Sequence, residues 1–174
     1  MYRRHSFLAI ASISLVGMAA AQDVEVYGRV REQEQPQPIT GATMDVSSDG
    51  VQLFRMLSDS TGFYRIGLDV GRVWRIRFAA PGRVAKLVEF DLGDVPANDG
   101  GYGMNVDMRL FKEDAGKDFS FLDEPLGICR YDSATTMIKW DMDYTGPRMV
   151  RMRELVPEVY TIDTDSVSTG AQDE

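Results

Sequence analysis

The sequence predicts a mainly β protein: an antiparallel β-sandwich of seven strands, followed by a strand and a short helix. Seven short runs with strand character lie between residues 24 and 112, and turns rich in Gly, Pro, Asp and Ser separate them. No helical periodicity lies between the runs, and strands at this spacing are typical of sandwiches. The runs are residues 24–31, 42–48, 51–58, 63–68, 72–80, 84–91 and 104–111.

Apolar and polar residues alternate within most of these runs. The three valines of the first run share one face, as they do in a strand that buries one side. In the fifth run Trp74, Ile76 and Phe78 point one way, whereas Arg75 and Arg77 point the other way. We therefore expect Trp74 in the core and the two arginines in solvent.

The chain continues past the seventh run with a segment that we expect to pack as an appendage, residues 113–160. Its aromatic and apolar content is too high for a disordered tail. The pattern predicts a strand over residues 136–140 and a short helix over Pro147–Leu155, because proline is tolerated in a first helical turn and Pro157 would stop the helix. Residues 161–174 are acidic and small, which predicts a disordered tail.

The first 21 residues have the pattern of a secretory signal peptide. Arg3 and Arg4 precede an apolar run over residues 7–18, and small residues end at Ala21. The run is shorter than the roughly 20 residues that span a bilayer, so we expect cleavage after Ala21 rather than a membrane anchor. A periplasmic or secreted product, without an integral membrane span after cleavage, is the prediction, with residues 22–112 as its sandwich domain.

Charge and residue types restrict the chemistry. Without residues 1–21, the chain has 17 basic and 27 acidic residues, a formal charge of −10. Such a field repels phosphate backbones, so we expect no nucleic-acid partner. The only histidine is His5, which excludes histidine-based relays and the usual histidine-bearing zinc sites from the remainder. Cys129 is the only cysteine, and we interpret it as a small buried apolar residue.

Residues 24–112 resemble the carboxypeptidase regulatory-like domains, a family of transthyretin-like, Ig-like β-sandwiches. At three of the matching positions, local chemistry explains the residue type. Asp59 can accept backbone hydrogen bonds across a turn, Gly62 can adopt positive φ, and Tyr64 can pack while its hydroxyl finds a hydrogen-bond partner. The resemblance implies a sandwich in an extracytoplasmic setting and, for most members, a non-catalytic module. The matching residues are Gly28, Pro38, Ile39, Gly41, Ala42, Asp59, Gly62, Tyr64 and Ile66.

Four residues are candidates for a ligand-binding surface: Tyr102, Trp140, Asp141 and Asp143. The aromatic pair has the chemistry for stacking on a ligand. The Asp141-Met142-Asp143 triplet resembles the start of a calcium loop, but the closing glutamate of an EF-hand is missing, so solvated turn carboxylates are the preferred interpretation. We expect no catalytic residue, no metal site and no cofactor.

The predicted function is a non-enzymatic binding or assembly module of the cell envelope that acts through protein-protein contacts. Sandwich edge strands or the C-terminal segment would dock the envelope or extracellular protein partner. The alternative is recognition of an extracellular glycan or peptide by loops at one end of the sandwich, with residues 99–103 as the most pliant loop. A carboxylate-dependent hydrolase is the remote alternative, because no nucleophile and base pair is evident.

Overall fold

The computed structural model describes residues 24–96 and 100–157. The predicted signal peptide, Asp99 of the predicted loop and the acidic tail lie outside these ranges. No helix in the described ranges has the length and apolar character needed to cross a membrane. The strands found there are β1 (Val24–Glu32), β2 (Thr43–Ser48), β3 (Val51–Leu57), β4 (Phe63–Leu68), β5 (Val73–Ala79), β6 (Lys86–Asp91), β7 (Tyr102–Asn105), β8 (Met108–Leu110), β9 (Gly127–Asp132) and β10 (Met137–Trp140), followed by helix α1 (Met142–Leu155).

The strands form two sheets. In the smaller sheet β1 is central, with β4 antiparallel on one side and β7 and β8 parallel to it on the other. The larger sheet has the order β10-β9-β6-β5-β2-β3, and its strands are antiparallel except for the β6–β9 pair. The mainly β architecture predicted from the sequence is confirmed, and its strands are arranged in two sheets.

The core lies between the two sheets and consists of the alternating residues that the sequence pattern placed on one face. Trp74 is buried as expected, and Arg75 is exposed and paired with Glu89 at 2.9 Å. Cys129 is also fully buried, in agreement with its interpretation as a small apolar residue, and burial raises the pKa of its thiol.

The turn before β4 has the hydrogen bonds that its sequence predicts. The Asp59 carboxylate accepts the backbone N–H groups of Thr61 at 2.8 Å and Phe63 at 2.9 Å. These bonds, together with one from the Thr61 hydroxyl, lower the pKa of Asp59, the hydroxyl having the largest effect. Gly62 has a φ of 73°. The turn chemistry therefore acts as a local determinant of where β4 begins.

The prediction of seven strands, all antiparallel, is wrong. Val106 and Asp107 divide the predicted seventh strand into β7 and β8, and both parts pair with β1 in parallel. At the break the Val106 N–H donates to the Tyr27 carbonyl at 2.8 Å, and the Val106 carbonyl accepts the buried Tyr64 hydroxyl at 2.6 Å. A Cβ on Gly28 would lie 2.2 Å from that carbonyl oxygen. Only glycine therefore allows the Val106 backbone to approach β1 this closely.

The C-terminal segment is not a separate appendage, because two of its strands extend the larger sheet. β9 pairs with β6, which places Cys129 beside Phe90 in the core, and β10 pairs with β9. The strand predicted over residues 136–140 is confirmed as β10, whereas β9 was not predicted. Its side chains bury apolar surface that β6 would otherwise expose.

Helix α1 starts five residues earlier than predicted. Asp141 caps it by accepting the Tyr144 N–H at 3.2 Å, so Pro147 lies inside the helix rather than in its first turn. Met152 is fully buried and packs with Phe111, Phe121 and other residues in a second apolar cluster. This contact holds the helix against the sandwich.

Candidate functional site

Tyr102 is held by contacts with other parts of the chain. Its hydroxyl donates to the Pro96 carbonyl at 3.1 Å, and its ring packs edge-on against Tyr131 with centroids 5.9 Å apart. Both contacts orient the side chain at the first position of β7. Its assignment to a ligand-binding surface stays a prediction.

Trp140, Asp141 and Asp143 lie together where β10 joins α1. The Trp140 ring packs on the backbone of Gly127, whose hypothetical Cβ would lie 2.7 Å from the ring. Asp141 caps the helix and pairs with Arg130 at 3.1 Å, whereas Asp143 is exposed in the first turn. In the part of the chain that the structure describes, no three or more His, Cys, Asp or Glu side chains form a group that could hold a metal ion.

The largest apolar exposure in a single strand is on β3, at one edge of the larger sheet. Val51, Leu53, Phe54 and Leu57 are exposed by 60%, 49%, 37% and 61%. Among the described strands, β3 pairs with β2 alone. Its other edge therefore presents backbone N–H and C=O groups together with apolar side chains.

Sheet geometry explains the exposure of both faces of β3. In the described residues, the larger sheet has six strands and the smaller sheet has four. Strand β4 of the smaller sheet packs over β5 of the larger one, where the centroids of the Tyr64 and Phe78 rings are 5.3 Å apart. The side of β3 that carries Phe54 and Met56 faces the sandwich, but only Met56 packs against the core. Phe54 therefore remains 37% exposed at this edge of the sheet.

The opposite face of β3 is organised by Asp45 of β2. Its carboxylate accepts the Arg55 Nε at 2.5 Å and Nη2 at 2.9 Å, and the Gln52 amide at 3.0 Å. The hydrogen bond from Arg55 to Asp45 raises the pKa of the guanidinium. Since the charges neutralise one another, β3 presents an apolar edge with little net charge.

A β-bulge limits the regular part of this edge. The register between β2 and β3 shifts between Val46 and Ser47, so Leu53 is the extra residue of the bulge and has no partner on β2. The uninterrupted ladder on β3 therefore runs from Phe54 to Leu57. The sequence predicted a strand here but not its exposure; its apolar residues on both faces, without alternation, were the available signal.

No family model matches the chain, and no curated protein matches it in sequence. Hydroxyquinol 1,2-dioxygenase from Pseudomonas putida DLL-E4 is similar in structure, with 17% identity, a TM-score of 0.38, and coverage of 52% of this chain and 56% of the dioxygenase. The Bacillus anthracis TIE protein has 14% identity and a TM-score of 0.42, with coverage of 51% and 17%. The group B streptococcus pilus 2b backbone protein has 11% identity and a TM-score of 0.38, with coverage of 52% and 41%.

These likenesses concern the fold alone. The chain spans little more than half the length of the dioxygenase and a smaller share of the other two proteins. Fold likeness at such identities does not transfer an activity or a partner. The carboxypeptidase regulatory-like family predicted for residues 24–112 is not among the matches.

The prediction that the chain is not an enzyme is corrected by the same comparison. Most of the similar structures are enzymes, namely hydroxyquinol, catechol and chlorocatechol 1,2-dioxygenases. No reaction is assigned to the chain, since an activity has to be argued from a site.

Proposed function

We propose that this chain is an exported module of the cell envelope that binds a protein partner, and that the partner adds an extended segment to the edge of β3. The observation that carries the proposal is the apolar edge of β3, with which no strand of the described residues pairs. Export is proposed from the signal-peptide pattern of residues 1–21. The carboxypeptidase regulatory-like assignment of residues 24–112 is part of the same proposal.

Strand addition suits the chemistry of β3. An added strand gains affinity from main-chain hydrogen bonds and specificity from alternate side chains. The ladder from Phe54 to Leu57 offers a regular edge, and Val51 and Leu53 extend the apolar surface past the bulge. The partner segment would be extended and apolar at alternate positions, with few charges because Arg55 is already paired with Asp45.

We favour this site over glycan recognition by sandwich-end loops. The two aromatic residues available for stacking, Tyr102 and Trp140, pack against the core, whereas the apolar side chains of β3 extend into solvent. Solvent-exposed apolar groups gain most from a partner, because their burial removes apolar surface from water. The β3 edge is therefore better supported as a binding site than an aromatic surface for a glycan.

The test is a cross-linked pull-down with residues 22–174 from the native envelope fraction, using three baits. The first bait is unchanged, the second carries Leu53→Lys and Leu57→Lys on β3, and the third carries Met137→Lys on β10. Met137 is the matched control because it is an exposed apolar residue on the opposite edge strand, with 57% exposure. We expect one protein partner with the first and third baits, and its loss with the second.

Recovery of the same partner by the β3 double variant would contradict strand addition at this edge. Recovery by no bait would contradict a stable protein partner. Circular dichroism of the three baits should show that all of them are folded, since charged substitutions at exposed edge positions leave the core intact.

A further inference from the structure

A cavity of about 550 Å³ lies between β6, β8 and helix α1, on the side of the molecule away from β3. It is within the roughly 300–1,000 Å³ typical of small-molecule sites. We propose that this cavity binds a small organic anion with an apolar body, such as a carboxylate on an aromatic or aliphatic group. This site is independent of the proposed β3 interface.

Lys86, the first residue of β6, supplies the charged group of the cavity. The side chain is only 3% exposed, and its Nζ donates to the Arg109 carbonyl at 2.5 Å and lies 4.9 Å from the centre of the Phe111 ring. An ammonium has three donors, and a buried one gains from each further acceptor. The position of Lys86 in the cavity wall makes a bound oxyanion a suitable acceptor.

Thr145 of α1 supplies a second polar group. The residue is 7% exposed and lines the same cavity, and its Oγ1 has no hydrogen-bond partner among the residues that the structure describes. A buried hydroxyl without a partner is unfavourable, because it has lost its hydrogen bonds to water. A polar ligand atom that enters from the cavity would satisfy this group.

The charges of the cavity wall favour an anion over a cation. Lys86, Arg109 and Arg153 contribute positive charge in a chain whose net charge is −8. Asp107 is the acidic residue of the wall, but its carboxylate accepts the Arg29 backbone N–H at 2.8 Å and lies 4.0 Å from the Arg31 guanidinium. Its charge is therefore already engaged outside the cavity.

The pKa of Lys86 reflects its enclosure in the cavity wall. Burial, followed by repulsion from Arg109, lowers this pKa from 10.5 to about 7. A bound anion would favour the ammonium form and raise the pKa again.

Apart from Gln33, most of the remaining wall is apolar, and part of it consists of flexible methionine side chains. The Trp140 ring packs on Gly127, and Met142 and Met149 of α1 lie beside it. Methionine side chains adjust to ligands of different shape and contact aromatic rings favourably. An apolar ligand body would contact these side chains while its anionic end reaches Lys86.

The probe is anilinonaphthalene sulfonate, a fluorescent anion with an apolar body, titrated into the full chain at pH 7. We expect saturable binding, which Lys86→Met weakens about tenfold or more, as expected when a charge-assisted hydrogen bond is lost. Thr145→Val should weaken binding less. Phenylnaphthylamine, the uncharged analogue, should bind the unchanged chain and Lys86→Met equally, and octanoate should compete with the anionic probe.

Two control variants distinguish this cavity from other apolar or cationic surfaces. Lys112→Met removes an exposed lysine outside the cavity, and Leu57→Lys changes β3; both should retain the affinity of the unchanged chain. Lys86→Met should fold, since it replaces a buried charge with an apolar side chain of similar length. Equal affinity of the anionic probe for Lys86→Met and the unchanged chain, or loss of binding with Leu57→Lys instead, would overturn the proposal.

Discussion

The two edges of the larger sheet differ in length, composition and surroundings. β3 has seven residues, four of them large, apolar and exposed, whereas β10 has four residues and buries Ile138. At β10, Lys139 pairs with Asp132 at 2.7 Å, and α1 follows directly. Short length, charge and a neighbouring helix protect an edge from pairing with other chains. β10 is therefore a protected edge of the sheet, whereas β3 is an exposed one.

The opposite halves of the sheet also differ in what they bury. The β3 side ends in solvent, but the β6–β9 side encloses Phe90, Cys129 and the ammonium of Lys86. A buried cation is costly unless it serves a ligand or a network. We therefore propose that a protein partner binds at the exposed edge of β3, and that a small ligand binds in the cavity between β6, β8 and α1.

Removing β9 and β10 should have the largest effect. A chain that ends at residue 112 would expose Val88 and Phe90, each of which contributes roughly 1.5–3 kcal/mol when buried. Since a domain of this size is stable by about 5–15 kcal/mol, we expect the cooperative thermal transition to be lost. Differential scanning calorimetry measures it, with removal of residues 158–174 as the control. A normal transition in the shorter chain would show that the segment is an appendage after all.

Truncation of one apolar side chain in each edge strand should give unequal losses of stability. Ile138→Ala should lower the free energy of unfolding by about 2–5 kcal/mol, because the side chain leaves the core. Leu57→Ala should change it by no more than about 0.5 kcal/mol, because the side chain is already in solvent. Urea denaturation followed by circular dichroism measures both. Similar losses would mean that β3 is packed as β10 is.

The pH dependence of stability should distinguish Lys86 from the lysines at the surface. Its pKa is about 7 in the folded chain and near 10.5 when unfolded, so the unfolded state binds more protons between these values and stability rises with pH. The charged groups that share its cavity are Arg109, Arg153 and Asp107. Above pH 9 the rise is opposed, because the raised pKa of Cys129 keeps its thiol protonated only in the folded state.

The measurement is urea denaturation of the unchanged chain and Lys86→Met from pH 7 to 9. The unchanged chain should gain up to about 1.4 kcal/mol per pH unit relative to the variant, and the variant should be the more stable at pH 7. Lys112→Met serves as the exposed control and should follow the unchanged chain. A constant difference between Lys86→Met and the unchanged chain would contradict the burial of the ammonium.

Local sequence patterns predicted much of the sandwich. β4 has the predicted bounds, and the turn before it depends on Asp59 and Gly62, whose effects are confined to a few residues. The pattern failed at β7 and β8, because the break depends on Gly28 and Tyr64, which are more than 40 positions away from Val106. It also missed β9, whose parallel partner β6 lies far earlier in the chain.

Site prediction had the same limit. Tyr102 and Trp140 were chosen for their chemistry, but whether an aromatic ring is exposed depends on what packs against it. β3 was recognised as a strand, while its position at the edge depends on the order of the whole sheet. Nothing in the sequence marks Lys86 as a binding residue, since a lysine at the start of a strand is ordinarily solvated.

The alternation of buried and exposed residues, the turns and the burial of Trp74 can be read from the chain, because they depend on side-chain type and on neighbouring residues. The identity of the edge strands, the place of the C-terminal segment in the sheet and the enclosure of particular polar groups cannot be read in this way. These features depend on contacts between residues distant in sequence, such as Lys86 and Arg109. A charged side chain becomes a candidate binding group only when such contacts remove it from water.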